Sequence, residues 1–404
     1  MLIELLNSNC LKILFKSHVN NCVRYLRREH CLNFISTYKQ SDISNHIVQY
    51  SVSSSKSEMD LKKVINKLND FANISLAENW DNVGLLVEPS PPHVVKTIYL
   101  TNDLTAATLD EAIQKKVGLI VSYHPPIFTP LKCLTQQSWK EKLIVKCIEN
   151  RIAVYSPHTS YDALQGGVND WLIQAFELKS VKPIQQTYAH SGDFSHQVDI
   201  TINADRQSDL ISVLELKSEK EKTFTLVRHN AESAENILCS VLCSRCDLTT
   251  VFTEINSFKS DIISVDCREL GKVPLPGYGM GRIGSLQSPI TLDEAVRLVK
   301  KHLNLDHVRM ASVSDAGKIS KVAVCAGSGA SVMRGVKADL LVTGEMSHHE
   351  VLNAVSNGSN VILCEHSNTE RGYLIVLKHQ LKEFLSEEID VIISQTDSDP
   401  LKVV

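Results

Sequence analysis

The feature that most constrains this chain is an alternation of continuously apolar runs with helical segments, played out twice. "KTIYLTND", "GLIVSYH" and "IAVYSPH" are strand-like, and "LDEAIQKKV", "WKEKLIVKCIENR" and "GVNDWLIQAFEL" between and after them are helical. The pattern returns near the C-terminus with "KVAVCAG", "ADLLVTGE", "NVILCEH" and "IDVIISQT" as strands. There "HHEVLNAVSNG" and "TERGYLIVLKHQLKEFLSEE" are helical, the first stopping on Gly358. Strands apolar on both faces need cover on both faces. The pattern therefore predicts an α/β fold with a mostly parallel sheet and helices on either side. Leu61, Val64, Ile65, Leu68 and Phe71 share one helical stripe and place an amphipathic helix at its start.

Between the two halves the texture changes. "HQVDITINA" alternates as a half-exposed strand does. The reading continues with helix "QSDLISVLEL", strand "TFTLVRH", helix "AENILCSVLC", and strands "TTVFTEI" and "DIISVDCREL". This is a small α+β insertion of ferredoxin-like character. The expected division is an extension over 1–58, a discontinuous α/β domain over 59–189 and 291–404, and an inserted domain over 190–290.

Composition bounds the function classes. With 404 residues, 43% hydrophobic and 22% charged, the chain has the make-up of a globular protein with a sizeable core. A net charge of −4 gives no reason to expect direct nucleic-acid or anionic-membrane binding. No apolar stretch is long enough to span a bilayer. The eleven cysteines are scattered and read as reduced thiols, which points to the cytoplasm. Residues 1–58 carry seven Lys/Arg against four Asp/Glu, a net of +3. A mitochondrial presequence is one expectation for them, although Glu4, Glu29 and Asp42 run against it. A disordered extension, or sequence upstream of a start at Met59, is the other.

In α/β sheets ligands bind outside the carboxyl ends of the strands. "GLIVSYH" ends at His124; "IAVYSPH" ends at His158, with Asp162 just beyond. "DLLVTGE" ends at Glu345, and "NVILCEH" at His366, with Glu370 one turn later. Singly, each has a plainer role: a strand-end histidine is usually hydrogen-bonded structure, and Glu370 would complement a helix dipole. Together at one sheet edge they have the donor chemistry of a Zn, Mn, Fe or Co site. His366 and Glu370 converge at i, i+4 across an expected helix start capped by Ser367 or Asn368, where an anion would also be favoured. "CAGSGAS" is an anion candidate if a helix follows its glycine turn. "GYGMGRIG" matches the dinucleotide fingerprint but follows no parallel strand, and reads as a glycine-rich connection. His348 and His349 are candidates to support the site. Cys239, Cys243 and Cys246 fall on one predicted helical face, without partners to complete a zinc knuckle.

The motifs "ENWDNVGLLVEPSPP", "SYHPPIF", "YSPHTSYDALQGGVNDWL", "GMGRIG", "TGEMSHHE" and "CEHSNTERGYL" resemble the Nif-three-like family, also filed as the type 2 GTP cyclohydrolase I family. The resemblance runs from Met59 to Val404. It implies an α/β fold holding one or two divalent metal ions, with a nitrogen-regulatory-protein-like insertion, in a homo-oligomer that is a dimer or larger. Metal ligands carry over at His124, Asp162, His366 and Glu370, with Glu370 bridging. The chemistry implied is metal-dependent hydrolysis of a phosphoester or a GTP-cyclohydrolase-like reaction, with Glu370 and His158 as catalytic groups and His158 or His349 moving a proton. A second class of function is transcriptional co-regulation through protein partners, such as a COP9 signalosome subunit, with nuclear entry alongside a partner. A third is metal storage or metal delivery. Bacterial members have two adjacent histidines where this chain has Tyr123-His124. A phenol must lose a proton with a pKa near ~10 to bind metal well, so the second metal position is the weaker one.

Overall fold

The computed structural model describes residues 59–190, 194–221, 224–228, 236–314, 317–385 and 389–404. The expectations for residues 1–58 lie outside them.

The chain opens with β1 (Met59–Asp60), helix α1 (Leu61–Phe71), β2 (Gly84–Val87), β3 (Val94–Val95) and β4 (Thr97–Thr101). It continues through α2 (Ala106–Gln114), β5 (Leu119–Ser122), α3 (Trp139–Glu149), β6 (Ala153–Ser156), α4 (Thr159–Ala163) and α5 (Val168–Ile173). A long β7 (Leu178–Ala189) leads to β8 (His196–Asn203), α6 (Gln207–Glu221), β9 (Phe224–Arg228), β10 (Asn236–Cys243), α7 (Leu248–Asn256) and β11 (Ile262–Glu269). The last part comprises β12 (Val273–Ile290), α8 (Leu292–Leu303), β13 (Arg309–Ala311), β14 (Ile319–Cys325) and β15 (Leu340–Thr343). It ends with α9 (His348–Ser356), β16 (Asn360–Leu363), α10 (Tyr373–Phe384) and β17 (Asp390–Ile393).

The α/β class holds, but the pattern builds two sheets and not one, and the last strand, β17, returns to the first of them. One has the order β17-β4-β5-β6-β2, parallel except for β2; the other has the order β13-β16-β15-β14-β12-β7, with β14, β15 and β16 parallel. A single hydrophobic cluster lies between them, taking Val121 and Tyr155 from the first sheet and Val324, Val342 and Ile362 from the second. Leu172 of α5 and Leu374 and Leu377 of α10 belong to the same cluster, and burying the two sheets in it together with these helices is what holds them together.

Several local expectations are corrected. "NILCSVLC" is a strand, with Cys239, Val241 and Cys243 buried at period two, while Cys246 is exposed beyond it. "TTVFTEI" falls on α7, whose buried Val251 and Ile255 are four residues apart. Short apolar runs fit either period, and packing decides between them. Strands β8 to β11 form an antiparallel sheet of order β11-β8-β10-β9 with its own core. They are spliced between the paired residues Ala189 and Val273.

"GYGMGRIG" is no connection: it is the middle of β12, hydrogen-bonded to β7 on one side and β14 on the other. Its bulged glycines serve Arg282, which is fully buried and accounts for the chain's path there. The guanidinium donates to the carbonyls of Gly279 at 2.6 Å, Gly281 at 2.8 Å and Leu164 at 3.0 Å. It also grips Asp170 of α5 bidentately, at 2.6 and 2.8 Å. This fork ties the second sheet to the helices that follow the first. Removing one partner leaves an uncompensated buried charge. Arg282→Ala is therefore expected to cost about 3–5 kcal/mol in urea denaturation, and the double variant Arg282→Met, Asp170→Leu much less.

Candidate metal centre

The site lies at the carboxyl ends of the parallel strands of both sheets. Past the end of β5, the backbone N–H groups of Tyr123 and His124 still donate to Thr101, the last residue of β4, and to Asn102 after it, at 2.9 and 3.0 Å. Ser122 Oγ donates to the His124 carbonyl at 2.7 Å, which fixes the turn. On the other sheet, Glu365 takes a left-handed φ of 66° just after β16 and pairs with Arg309 at 3.0 Å. That twist sends His366 the other way, into the site.

His366 and Glu370 do converge, across a 3-10 turn (Ser367–Thr369) and not across a helix start. Helix α10 begins only at Tyr373, and no side chain caps it. Ser367 donates to Asp399 and Asn368 to the Cys364 carbonyl, so neither acts as the expected cap. Nor does a helix follow "CAGSGAS". Its amides at Ala326, Gly327 and Gly329 are taken by Asn169, Thr369 and Thr343, so the anion expectation there fails.

Glu370 is the centre of the arrangement. Its side chain is 3% exposed, and its two oxygens face two imidazoles from different sheets. His124 Nε2 lies 3.3 Å from Oε2, and His366 Nε2 lies 3.4 Å from Oε1. Asn102 Nδ2 also donates to Oε2 at 3.1 Å. The far nitrogens are held by further carboxylates: His124 Nδ1 by Asp103 at 2.9 Å, and His366 Nδ1 by Glu345 at 2.8 Å. A carboxylate on one ring nitrogen fixes the tautomer and aims the other nitrogen's lone pair, as in metal-binding histidines.

The residues fit a cation. The ligand atoms of His124, His366 and Glu370 lie within 4.8 Å of one another, and this is the one such group among the described residues. His124 Nε2 is buried without a hydrogen-bond partner. Gly327, at φ +63°, leaves the adjoining space open: a Cβ there would stand 2.7 Å from Glu370 Oε1 and 3.0 Å from His366 Nε2.

Electrostatics point the same way. Burial works against the charge on His124, but the Glu370 carboxylate and the Asp103 hydrogen bond carry its pKa up to about 10. Burial likewise pushes Glu370 up, and is outweighed by His124 and His366, so its pKa is lowered. A proton here stands in for a positive ion.

Of the other expected site residues, Asp162 is buried but outside that group. Its Oδ1 accepts the Tyr123 hydroxyl, and burial above all raises its pKa to about 6. His158 packs its ring 5.3 Å from that of His124, and its Nδ1 meets Asp81 Oδ1 at 2.7 Å. Its backbone has a strained φ of 36°, held by the same Asp81 through the N–H of Thr159 at 3.1 Å. Trp80 and Phe128, both exposed, pack edge-on at the rim of His158. His348 and His349 stack on each other at the start of α9, and His349 lines a separate cavity of about 460 Å³ with Arg334 and Asn353. Asp81 and Asp103, which orient two of the histidines, are not among the residues expected from the sequence. Asp103 follows a strand end as His124 does, so the same rule could have found it; Asp81 sits in a loop that only tertiary contact brings to His158.

Two outcomes follow. Metal must displace the His124 proton, so affinity should rise about tenfold per pH unit from neutrality toward pH 10 in competition titrations with a chelator. The stability His124 gives the metal-free protein is complete below its ordinary pKa of 6.5 and is lost as pH climbs through about 10. Asp103→Asn should weaken metal binding about 10–100-fold in the same titration, by freeing the ring it orients.

Residues 59–400 match the family described as Duf34/NIF3 (NGG1p interacting factor 3). NIF3-like protein 1 of Rattus norvegicus is 44% identical over 372 residues, covering 89% of this chain and 99% of the relative. NGG1-interacting factor 3 of Saccharomyces cerevisiae is 31% identical, covering 87% of this chain and all of the relative. Among solved structures, Staphylococcus aureus protein SA1388 superposes with a TM-score of 0.70 at 26% identity, over 86% of this chain and 99% of that one. With the family match spanning both sheets and the strands between them, the chain belongs to the NIF3 family.

Proposed function

We propose that the protein is a divalent-metal-dependent hydrolase whose ion is held by His124, His366 and Glu370. The observation that carries this reading is one buried carboxylate facing two imidazoles, each aimed by a carboxylate of its own. When bound, a divalent ion supplies Lewis acidity toward water and toward a phosphoryl or ring-carbonyl oxygen. Asp103 and Glu345 hold the Nδ1 atoms of the two histidines and direct their Nε2 atoms inward, where they would face a bound ion. Glu370, shielded from solvent, stays anionic. His158, oriented through Nδ1 by Asp81, is the group that takes up or gives a proton at Nε2. Phosphoesters and GTP are the substrates to test first.

A second reading is a protein that works through partners. The Saccharomyces cerevisiae relative is called NGG1-interacting factor 3, and that name favours a protein partner here as well. No helix among the described residues is long and apolar enough to cross a membrane.

The test is metal content of tag-free protein after dialysis, followed by assay. Wild type should retain a divalent ion, and His366→Ala and Glu370→Gln should lose it. Chelator-sensitive hydrolysis restored by added metal supports the enzyme. Retained metal with no turnover across phosphoesters and GTP moves the assignment to the partner reading, and wild type without metal defeats the proposal.

A further inference from the structure

Resting on that metal reading, we propose that the centre takes a single divalent ion per chain, because Tyr123 and Asp162 close off the place where a second ion would lie. A second ion sharing Glu370 needs donors of its own. On the side of β5 and β6 the side chains to hand are Tyr123, Asp162 and His158. Two of the three are engaged with each other. The Tyr123 hydroxyl donates its proton to Asp162 Oδ1, and both residues are buried. His158, with its Nδ1 held by Asp81, offers only Nε2, and one imidazole does not make a second site. Asp162 falls outside the only cluster of ligand atoms among the described residues.

The Tyr123 ring is what fills the space. It is 2% exposed and wedged edge-on between the rings of His124, at 5.3 Å, and His158, at 6.0 Å. An ion beside Asp162 would have to break a buried hydrogen bond and displace a packed aromatic ring. It would gain a neutral hydroxyl, a poor ligand while its proton remains. Asp162 is further fixed through its backbone. Its carbonyl accepts from Asn169 Nδ2 at 3.1 Å, and Asn169 Oδ1 accepts from Ala326 N at 2.9 Å. The backbone that carries the carboxylate is thus tied to both sheets, and the carboxylate itself to Tyr123. Tyr123 acts on metal count by occupying volume and by holding Asp162.

The experiment titrates full-length metal-free protein with Mn(II). It reads bound metal by elemental analysis and ion–ion coupling by electron paramagnetic resonance. Wild type is expected to bind one equivalent, with the hyperfine pattern of an isolated ion. Tyr123→His removes the hydroxyl, frees Asp162 and adds an imidazole; it is expected to bind two equivalents with a coupled spectrum. Tyr123→Phe keeps the ring in place and should remain at one, which also serves if the histidine variant does not fold. Two equivalents or a coupled spectrum in wild type would overturn the inference and leave the metal centre standing. A folded Tyr123→His that stays at one equivalent overturns the role given to Tyr123. Wild type that binds no metal defeats the centre itself, and this inference with it.

Discussion

A carboxylate at 3% exposure cannot stay charged alone, and the architecture around Glu370 follows from that demand. Its partners, His124 and His366, come from the ends of strands in different sheets, so the sheets must dock with those ends facing. The apolar layer between them provides the cohesion. Polar links set the alignment. Asn169 reaches from the helices after β6 to the amide of Ala326. The Arg282–Asp170 fork joins the same two halves further from the site. An error in that docking would part the two imidazoles and leave Glu370 buried without a counter-charge.

Charge at the site is lopsided. Four carboxylates, Asp103, Glu345, Glu370 and Asp162, stand around His124 and His366. In the metal-free state the imbalance is met by protons, which is why His124 holds its proton up to about pH 10. A divalent ion answers the same field with two charges and no need for a proton.

Much of this was legible in the chain. Continuous apolar runs ending in His124, His366 and Glu345 marked strand ends carrying ligand chemistry, and the i, i+4 spacing of His366 and Glu370 foretold their meeting. What failed was local. A short apolar run such as "NILCSVLC" satisfies helix and strand equally, and the core beneath β8 and β10 chose the strand. Glycines in "GYGMGRIG" resembled a turn because nothing local reveals that they bend a strand around a buried arginine. The hydrogen bond from Tyr123 to Asp162, 39 residues later in the chain, has no local signal at all.

By itself the sequence determined the α/β class, the strand-end placement of the histidines and the local pairing of His366 with Glu370. These depend on periodicity and on contacts a few residues apart, which any chain with this pattern must make. Tertiary structure alone decided that the strands form two sheets, that His124 meets Glu370 across 246 positions, and that Asp81 and Asp103 orient the histidines. It also decided that Asp162 binds a tyrosine. Such contacts are selected by burial: a polar group shut away from water takes whichever partner packing brings within reach, and sequence spacing does not encode that choice.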